Sequence, residues 1–258
     1  MTKLLEGKNA IIYGGAGGIG TGVARRFVQE GARVFLVGRT RETLDRAAKD
    51  VGATGTAVVD ALDESAVDQH VRDVVSAAGS VDVSLNLITR GDVQGIPLVD
   101  MTTDDLLRAT TIGLTSNFLT ARAAARQMIE QGCGVIIHLN SASGAGAMPG
   151  MGSTGPADAA IESFMRYLAA ELGPHGVRVC GIHTAGVADT LTRDKLADVD
   201  ANQDWDPAAI ERMIAGMSVM DRAPRLADVA GAATFLASDL ASGMTGSVVN
   251  ATAGLVLR

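Results

Sequence analysis

Between a short β-branched run, Ala10-Ile11-Ile12-Tyr13, and an amphipathic pattern that begins near residue 18 stand Gly14, Gly15, Gly17, Gly18, Ile19 and Gly20. Glycine there permits a tight turn, lets backbone approach a phosphate and lets a helix start close to a strand. The helix N-terminus then offers N–H donors and a positive dipole. That pattern serves a dinucleotide diphosphate, with Gly14, Gly17, Gly18, Ile19 and Gly20 as its cradle; the competing reading is a glycine-rich turn that binds nothing. The second strand ends Val37-Gly38-Arg39-Thr40-Arg41. No acid stands at its tip to hold a ribose 2′-hydroxyl, whereas a guanidinium suits a 2′-phosphate, so Arg39 and Thr40 point to NADP ahead of NAD. Arg41 could equally begin a solvated helix face. Asp60, after the third strand, could hold an adenine amino group or simply shape a turn.

Proton chemistry has fewer candidates. His183 closes the sixth strand, at the sheet edge where open α/β folds bind ligands, and its pKa range suits a proton donor. It could also be a structural histidine bonded to backbone. His138 lies inside the fifth strand and reads as buried structure. Met148, Met151 and the Met217–Met220 stretch suggest an adaptable pocket wall, or plain core filler. Cys133 and Cys180 have neither disulfide nor metal spacing and read as core thiols, so no metal is expected.

The elements that must position these residues follow a repeat. Strand-like runs at 10–13, 33–37, 56–59, 81–85, 134–137 and 177–180 alternate with helical spacing at about 18–30, 41–50, 63–78, 103–130, 157–173 and 226–238. Strand and helix in alternation with short connections predict an α/β fold: one Rossmann-like, doubly wound parallel sheet of about seven strands with helices on both faces. The length of 258 residues suits a single domain over 1–258, with 47 % hydrophobic residues for a core but only 3 % aromatics. An irregular, Asp-rich stretch at about 184–206 is the natural lid or substrate loop, if not a plain surface excursion. The net charge of −7 and the lack of any basic block argue against nucleic acid and against anionic lipid. Without a leader-like or 20-residue apolar run, a soluble cytoplasmic protein is expected.

Over almost its whole length the chain resembles the short-chain dehydrogenase/reductase family. The likeness is carried by Gly14-x3-Gly18-Ile19-Gly20 (with Tyr13 in place of Thr), Val81-Asp82-Val83 through Asn86, Asn140-Ser141-Ala142-Ser143-Gly144, Ala169-Ala170-Glu171-Leu172 and Phe235 through Asp239. The resemblance implies Ser141 as a hydrogen-bond donor to a carbonyl. It further implies Ala61, Asn86, Gly186 and Thr190 as cofactor contacts beside those already named. It also exposes a departure. Counting back from Glu171 places the family's catalytic Tyr-x-x-x-Lys at Thr154 and Asp158, and alignment on Phe118 and Arg122 places its helix asparagine at Gly113. No lysine lies between Lys49 and Lys195, and the tyrosines are Tyr13 and Tyr167.

A tyrosine phenol has a pKa of about 10 that a neighbouring lysine lowers; a threonine hydroxyl is far weaker and an aspartate would oppose ionisation. Asp158 reads either as a group reaching the ribose or as a surface carboxylate. The expected function is an NADP(H)-dependent oxidoreductase acting on a carbonyl or activated C=C of a small molecule, with Ser141, His183, Asp158 and Thr154 at its catalytic centre. A lyase or isomerase, and a nucleotide-binding homologue without turnover, are the alternatives. The resemblance also implies a homodimer or homotetramer through helices 103–130 and 157–173. Ala121, Ala124, Ala125, Ala157 and Ala160 would permit close approach there, or would pack on the sheet.

Overall fold

Strands apolar on both faces over most of their length must be covered on both sides, and this chain supplies a helix after nearly every strand. In the computed structural model, which describes residues 3–198 and 205–257, the strands are β1 (Asn9–Tyr13), β2 (Arg33–Gly38), β3 (Gly55–Val58), β4 (Val83–Asn86), β5 (Gly134–Ser141), β6 (Val177–Thr184) and β7 (Val248–Asn250). The helices are α1 (Gly18–Gln29), α2 (Arg41–Val51), α3 (Glu64–Ala78), α4 (Thr103–Gln131), α5 (Thr154–Leu172), α6 (Arg193–Ala197), α7 (Pro207–Met217) and α8 (Leu226–Ala237). All seven strands are parallel in the order β3-β2-β1-β4-β5-β6-β7. The winding reverses between β1 and β4, opening a crevice at the carboxyl ends of those strands.

Period-two alternation divides the core in two. Ile12, Leu36, Leu85, Ile137 and Ile182 face α1, α2 and α8, where Val23, Phe27, Leu44 and Leu236 meet them. Ile11, Tyr13, Val37, Ile136 and Val179 face the other way, onto α3, α4 and α5. Scarce aromatics are offset by small residues that bring helix axes close. Ala121, Ala124, Ala125 and Ala157 are buried within this second layer. Those four pack inside the protein, whereas Ala160 is half-buried and lines a groove between α4 and α5.

Several boundaries differ from the sequence pattern for local reasons. Helix α5 begins at Thr154 because Ser153 is anchored: its Oγ accepts from Val93 N–H at 2.8 Å and donates to Val93 O at 3.0 Å. The pattern omits α7, although Asp206 caps it (Oδ1 accepts from Ala208 N–H) and Pro207 opens it, a recognisable helix start. Strand β7 has three residues, too few for periodicity to register. Cys133 is exposed, in the turn beyond left-handed Gly132, so only Cys180 is a core thiol. The irregular stretch carries a 3₁₀ turn at Ala188–Thr190 and then α6; its 199–204 part lies outside the described residues. No helix among the described residues is long and apolar enough to cross a membrane.

The turn after β1 depends on Gly14, whose φ of +76° and close approach to Leu87 O (2.5 Å from a Cβ built there) both exclude a side chain. Gly14→Ala is expected to lose about 1–3 kcal/mol of stability. A urea midpoint unchanged from wild type would contradict this geometry.

Candidate active site

The cradle is built from the ends of β1, β2 and β4. Gly14 and Gly15 both donate their N–H to Val37 O, at 2.9 and 3.1 Å, pinning the turn to the neighbouring strand. Gly17 donates to Gly14 O at 3.0 Å, and a Cβ on Gly20 would collide with that same oxygen, so helix α1 starts directly over the turn. Gly17 caps α1 without a side-chain bond. The first amides of the helix, on Gly18, Ile19 and Gly20, have no earlier carbonyl within the helix to bond. A strand end, a glycine cradle and unspent amides fit a diphosphate. Thr190 closes the turn from the far side, its methyl 2.9 Å from where a Gly18 Cβ would stand. Its Oγ1 donates to Val187 O at 3.0 Å and accepts from Lys195 Nζ at 3.2 Å.

At the tip of β2 the two arginines differ. Arg41 is engaged with Thr56 Oγ1 at 3.4 Å and Asp45 at 4.0 Å, whereas exposed Arg39 makes no hydrogen bond or ion pair among the described residues. Thr40 caps α2 and its carbonyl accepts from Thr43 Oγ1. Asp60 accepts from Leu62 N–H at 3.0 Å, so it shapes the turn, and Ala61 beside it is buried. Asn86 is spent on the protein: Nδ2 donates to Thr120 Oγ1 at 3.0 Å and Oδ1 accepts from Ile88 N–H at 3.0 Å. It therefore sets the path of residues 87–88 beneath the cradle. Gly186 leaves room for Ile214 of α7, whose Cδ1 is 2.6 Å from a Cβ built there. Tyr13 is buried edge-on to His70, and burial pushes its hydroxyl above the usual range, so it packs and donates no proton.

The side chains able to exchange a proton gather between β5 and α5. Ser141 ends β5, half-buried, and its Oγ accepts from Ser143 N–H at 3.2 Å. The two serine oxygens are 3.0 Å apart, and Ser143 Oγ is 3.2 Å from Asp158 Oδ2. Asp158 is wholly buried, so it is not a surface carboxylate. Its Oδ1 receives Nη1 of Arg90 at 2.5 Å, and Nη2 of the same guanidinium meets Asp92 at 2.8 Å. Burial pushes the Asp158 carboxyl up to about 6, against the pull of Arg90 and its hydrogen bond.

No sequence motif points to Arg90, which lies in the long connection between β4 and α4. Its signal is spatial: a Cβ on Gly113 of α4 would sit 2.6 Å from Arg90 Cδ, so the missing side chain at 113 makes room for the guanidinium. Thr154 is buried one turn before Asp158, where its Oγ1 accepts from Gln94 Nε2 at 3.3 Å. Among the described residues no hydrogen bond joins its hydroxyl to the side chain of Ser141 or Asp158.

His183 is held by a carboxylate and not by backbone, with Nε2 2.6 Å from Glu162 Oε1 of α5. Burial pushes the Glu162 carboxyl up, and the hydrogen bond and charge of His183 more than reverse it. Asn140, beside His183 in the sheet, donates to Asp158 O at 3.1 Å and to Glu162 at 3.4 Å. His138 is fully buried and pushed down to about 4 by burial, so it is neutral. Met148, Met217 and Met220 are exposed and do not fill the core.

Known proteins resemble the chain along its length. Residues 14–256 match a family model described as enoyl-(acyl carrier protein) reductase. An uncharacterised oxidoreductase of Mycobacterium bovis is 33% identical over 257 residues, spanning 98% of this chain and 99% of that protein. A 3-oxoacyl-(acyl-carrier-protein) reductase of Chlamydia muridarum is 30% identical over 260 residues, covering 99% of this chain and 100% of its own. The solved structure of an NAD⁺-bound xylitol dehydrogenase superposes with a TM-score of 0.85 at 28% identity, covering 97% of this chain and 99% of that one.

Asp158 gives the site a pH dependence of fixed sign. Because its carboxyl is raised from 3.8 to about 6 in the folded protein, its stabilising contribution is full below about pH 4 and lost as pH rises through about 6. Asparagine at 158 cannot suffer that loss. The stability of Asp158→Asn relative to wild type is expected to rise by about 2–3 kcal/mol from pH 4 to pH 7. A flat difference in urea denaturation across that range would contradict the assigned shift.

Proposed function

This chain belongs to the short-chain dehydrogenase/reductase family of oxidoreductases, and on that footing we propose that it uses NADP(H) to reduce or oxidise a carbonyl, or an activated C=C, of a small molecule. The observation that carries the reading is the pairing of the glycine cradle with an unengaged Arg39 at the tip of β2. The amides of Gly18, Ile19 and Gly20 would take the diphosphate, Arg39 and Thr40 the 2′-phosphate, and Asp60 with Ala61 the adenine. Gly186 and Thr190 would border the nicotinamide, with Asn86 holding the floor. When bound, that group supplies or accepts a hydride.

Chemistry beside it would differ from that of family members with a Tyr-x-x-x-Lys pair, since Thr154 and Asp158 occupy those positions. Threonine cannot exchange a proton near neutrality. Ser141 is left to hydrogen-bond the substrate oxygen, Asp158 is the group whose proton is exchangeable near pH 6, and His183 supports the site through Glu162.

We further propose that the protein pairs with a second copy of itself across α4 and α5. An open groove of about 500 Å³ runs between those helices, lined by Leu114, Phe118, Phe164 and Tyr167. Tyr167 is 73% exposed, and Phe118 and Phe164 meet edge to face with ring centres 6.0 Å apart. Burying such aromatics is a main source of interface energy.

Two measurements test these readings. In fluorescence titrations, Arg39→Ala is expected to weaken NADPH about 10–100-fold, the worth of one charged hydrogen-bond set, with NADH little changed. Equal losses for both nucleotides would remove Arg39 from 2′-phosphate recognition. The double substitution Phe118→Arg/Tyr167→Arg is expected to shift sedimentation from an oligomer to a monomer; an unchanged sedimentation coefficient would locate association elsewhere.

A further inference from the structure

The hydroxyl geometry at the end of β5 contains directional information. Ser143 Oγ lies 3.0 Å from Ser141 Oγ and 3.2 Å from Asp158 Oδ2. A serine has one proton to give, and an ionised carboxylate can only accept. With Asp158 ionised, Ser143 must therefore donate to Asp158, and the contact between the serines must be Ser141 O–H donating to Ser143 Oγ. Ser141 Oγ takes the Ser143 N–H on one lone pair, which leaves the other for a proton arriving from outside. With Asp158 protonated the same chain runs in reverse: Asp158 donates to Ser143, Ser143 to Ser141, and Ser141 outward. Only one end of this chain meets the solvent side. Ser141 is half-buried, Ser143 is 5% exposed and Asp158 0%.

Resting on the oxidoreductase reading above, we infer that Ser143 and Asp158 form a proton relay behind Ser141, carrying the substrate's hydroxyl proton into the protein during alcohol oxidation and returning it during carbonyl reduction. The balance is complete. As the substrate carbon gives up its hydride to an oxidised nicotinamide, its O–H bond breaks and the proton passes to Ser141 Oγ. The Ser141 proton moves to Ser143, and the Ser143 proton to Asp158 Oδ2. The products are a carbonyl compound, both serines neutral, a reduced nicotinamide and a neutral carboxylic acid. Reduction is the same sequence reversed.

The surroundings of Asp158 set it up for this. From the β4–α4 connection it faces Arg90, which is itself shared with Asp92. From the 3₁₀ turn after β5 it faces Ser143, and Gly113 of α4, against Arg90 and Ile161, bears no charge. On its own helix the next turn carries Glu162, whose Oε1 is 2.6 Å from His183 Nε2 and whose Oε2 lies 3.9 Å from Arg166. Glycine at 144 lets the serine turn press against the helix: a Cβ there would lie 2.7 Å from that of Asp158. Arg90 prevents the buried carboxylate from being uncompensated when the proton leaves, and Asp92 limits how far Arg90 lowers its proton affinity.

The test begins with protein free of nucleotide. The Asp158 carboxyl is titrated by isotope-edited infrared absorption, assigned by its loss in Asp158→Asn, in wild type, Ser143→Ala and Ser143→Thr. Removing the Ser143 donor should raise the midpoint, and threonine should restore it. Turnover is then followed against pH with NADPH and a panel of ketones and enones. Ser143→Ala should lower kcat about 10²-fold or more, within the range for a displaced acid–base group. It should also leave KM near wild type and abolish the inflection that tracks the infrared midpoint. A midpoint, rate or pH profile indifferent to Ser143, in protein that binds NADPH and turns over, overturns the relay alone. Protein that binds no NADPH overturns the oxidoreductase reading and the relay with it, and protein that binds NADPH but reduces no member of the panel leaves no proton to carry and overturns the relay.

Discussion

A carboxylate with no solvent exposure has to be matched by a cation, and in this protein Arg90 matches Asp158 from an element more than sixty residues earlier in the chain. Breaking a buried pair by removing one partner typically destabilises by about 3–5 kcal/mol, because the other charge is left without water or counter-ion. That requirement dictates much of the site. The β4–α4 connection must pass over the end of β4 to deliver the guanidinium, Gly113 must lack a side chain to admit it, and Gly144 must let the serine turn close on α5. Asn86 and Asn140 fix the same region from the strands, one through Thr120 and one through the backbone of Asp158.

The nucleotide cradle on the other side of the crevice rests on a simpler constraint. Parallel strands β1 and β4 end side by side, with Tyr13 level with Asn86, and only a turn lacking side chains at Gly14 and Gly15 can fold back above them. Helix α1 then begins at a fixed place with its amides directed over the crevice, while Thr190 approaches from beyond β6. The candidate site is thus assembled from two halves that share the β4 end: a neutral backbone cradle that fits anionic phosphates, and a buried polar chain ending at Ser141.

Most of the fold was legible in the sequence because its determinants are local. β-branched runs, helical spacing and the glycine turn each act over fewer than about fifteen residues, and the resulting boundaries fall within a few residues of the structure. The exceptions are also local in origin: β7 is too short to show a period, and the Asp206-Pro207 start of α7 was available but sits beside an irregular stretch. The glycine turn after β1 and the position of Arg39 at the tip of β2 were legible for the same reason. The polar chain from Ser141 to Asp158 was legible only in part. Ser141, Thr154 and Asp158 follow from the family resemblance, but the partner that buries Asp158 is Arg90. Its role depends on an absence at Gly113, which no spacing in the sequence encodes. Likewise His183 was placed at the correct strand end, yet its carboxylate partner Glu162 belongs to a helix twenty-one residues earlier. Such pairs exist only once the sheet and α5 are packed together.

A structure of the protein crystallised with NADP⁺ tests the account most directly. It should show diphosphate oxygens within hydrogen-bond reach of the amides of Gly18, Ile19 and Gly20, the 2′-phosphate on Arg39, and the nicotinamide ring beside Ser141. A crystal grown at saturating NADP⁺ with an empty crevice, or with the 2′-phosphate directed away from Arg39, would contradict it.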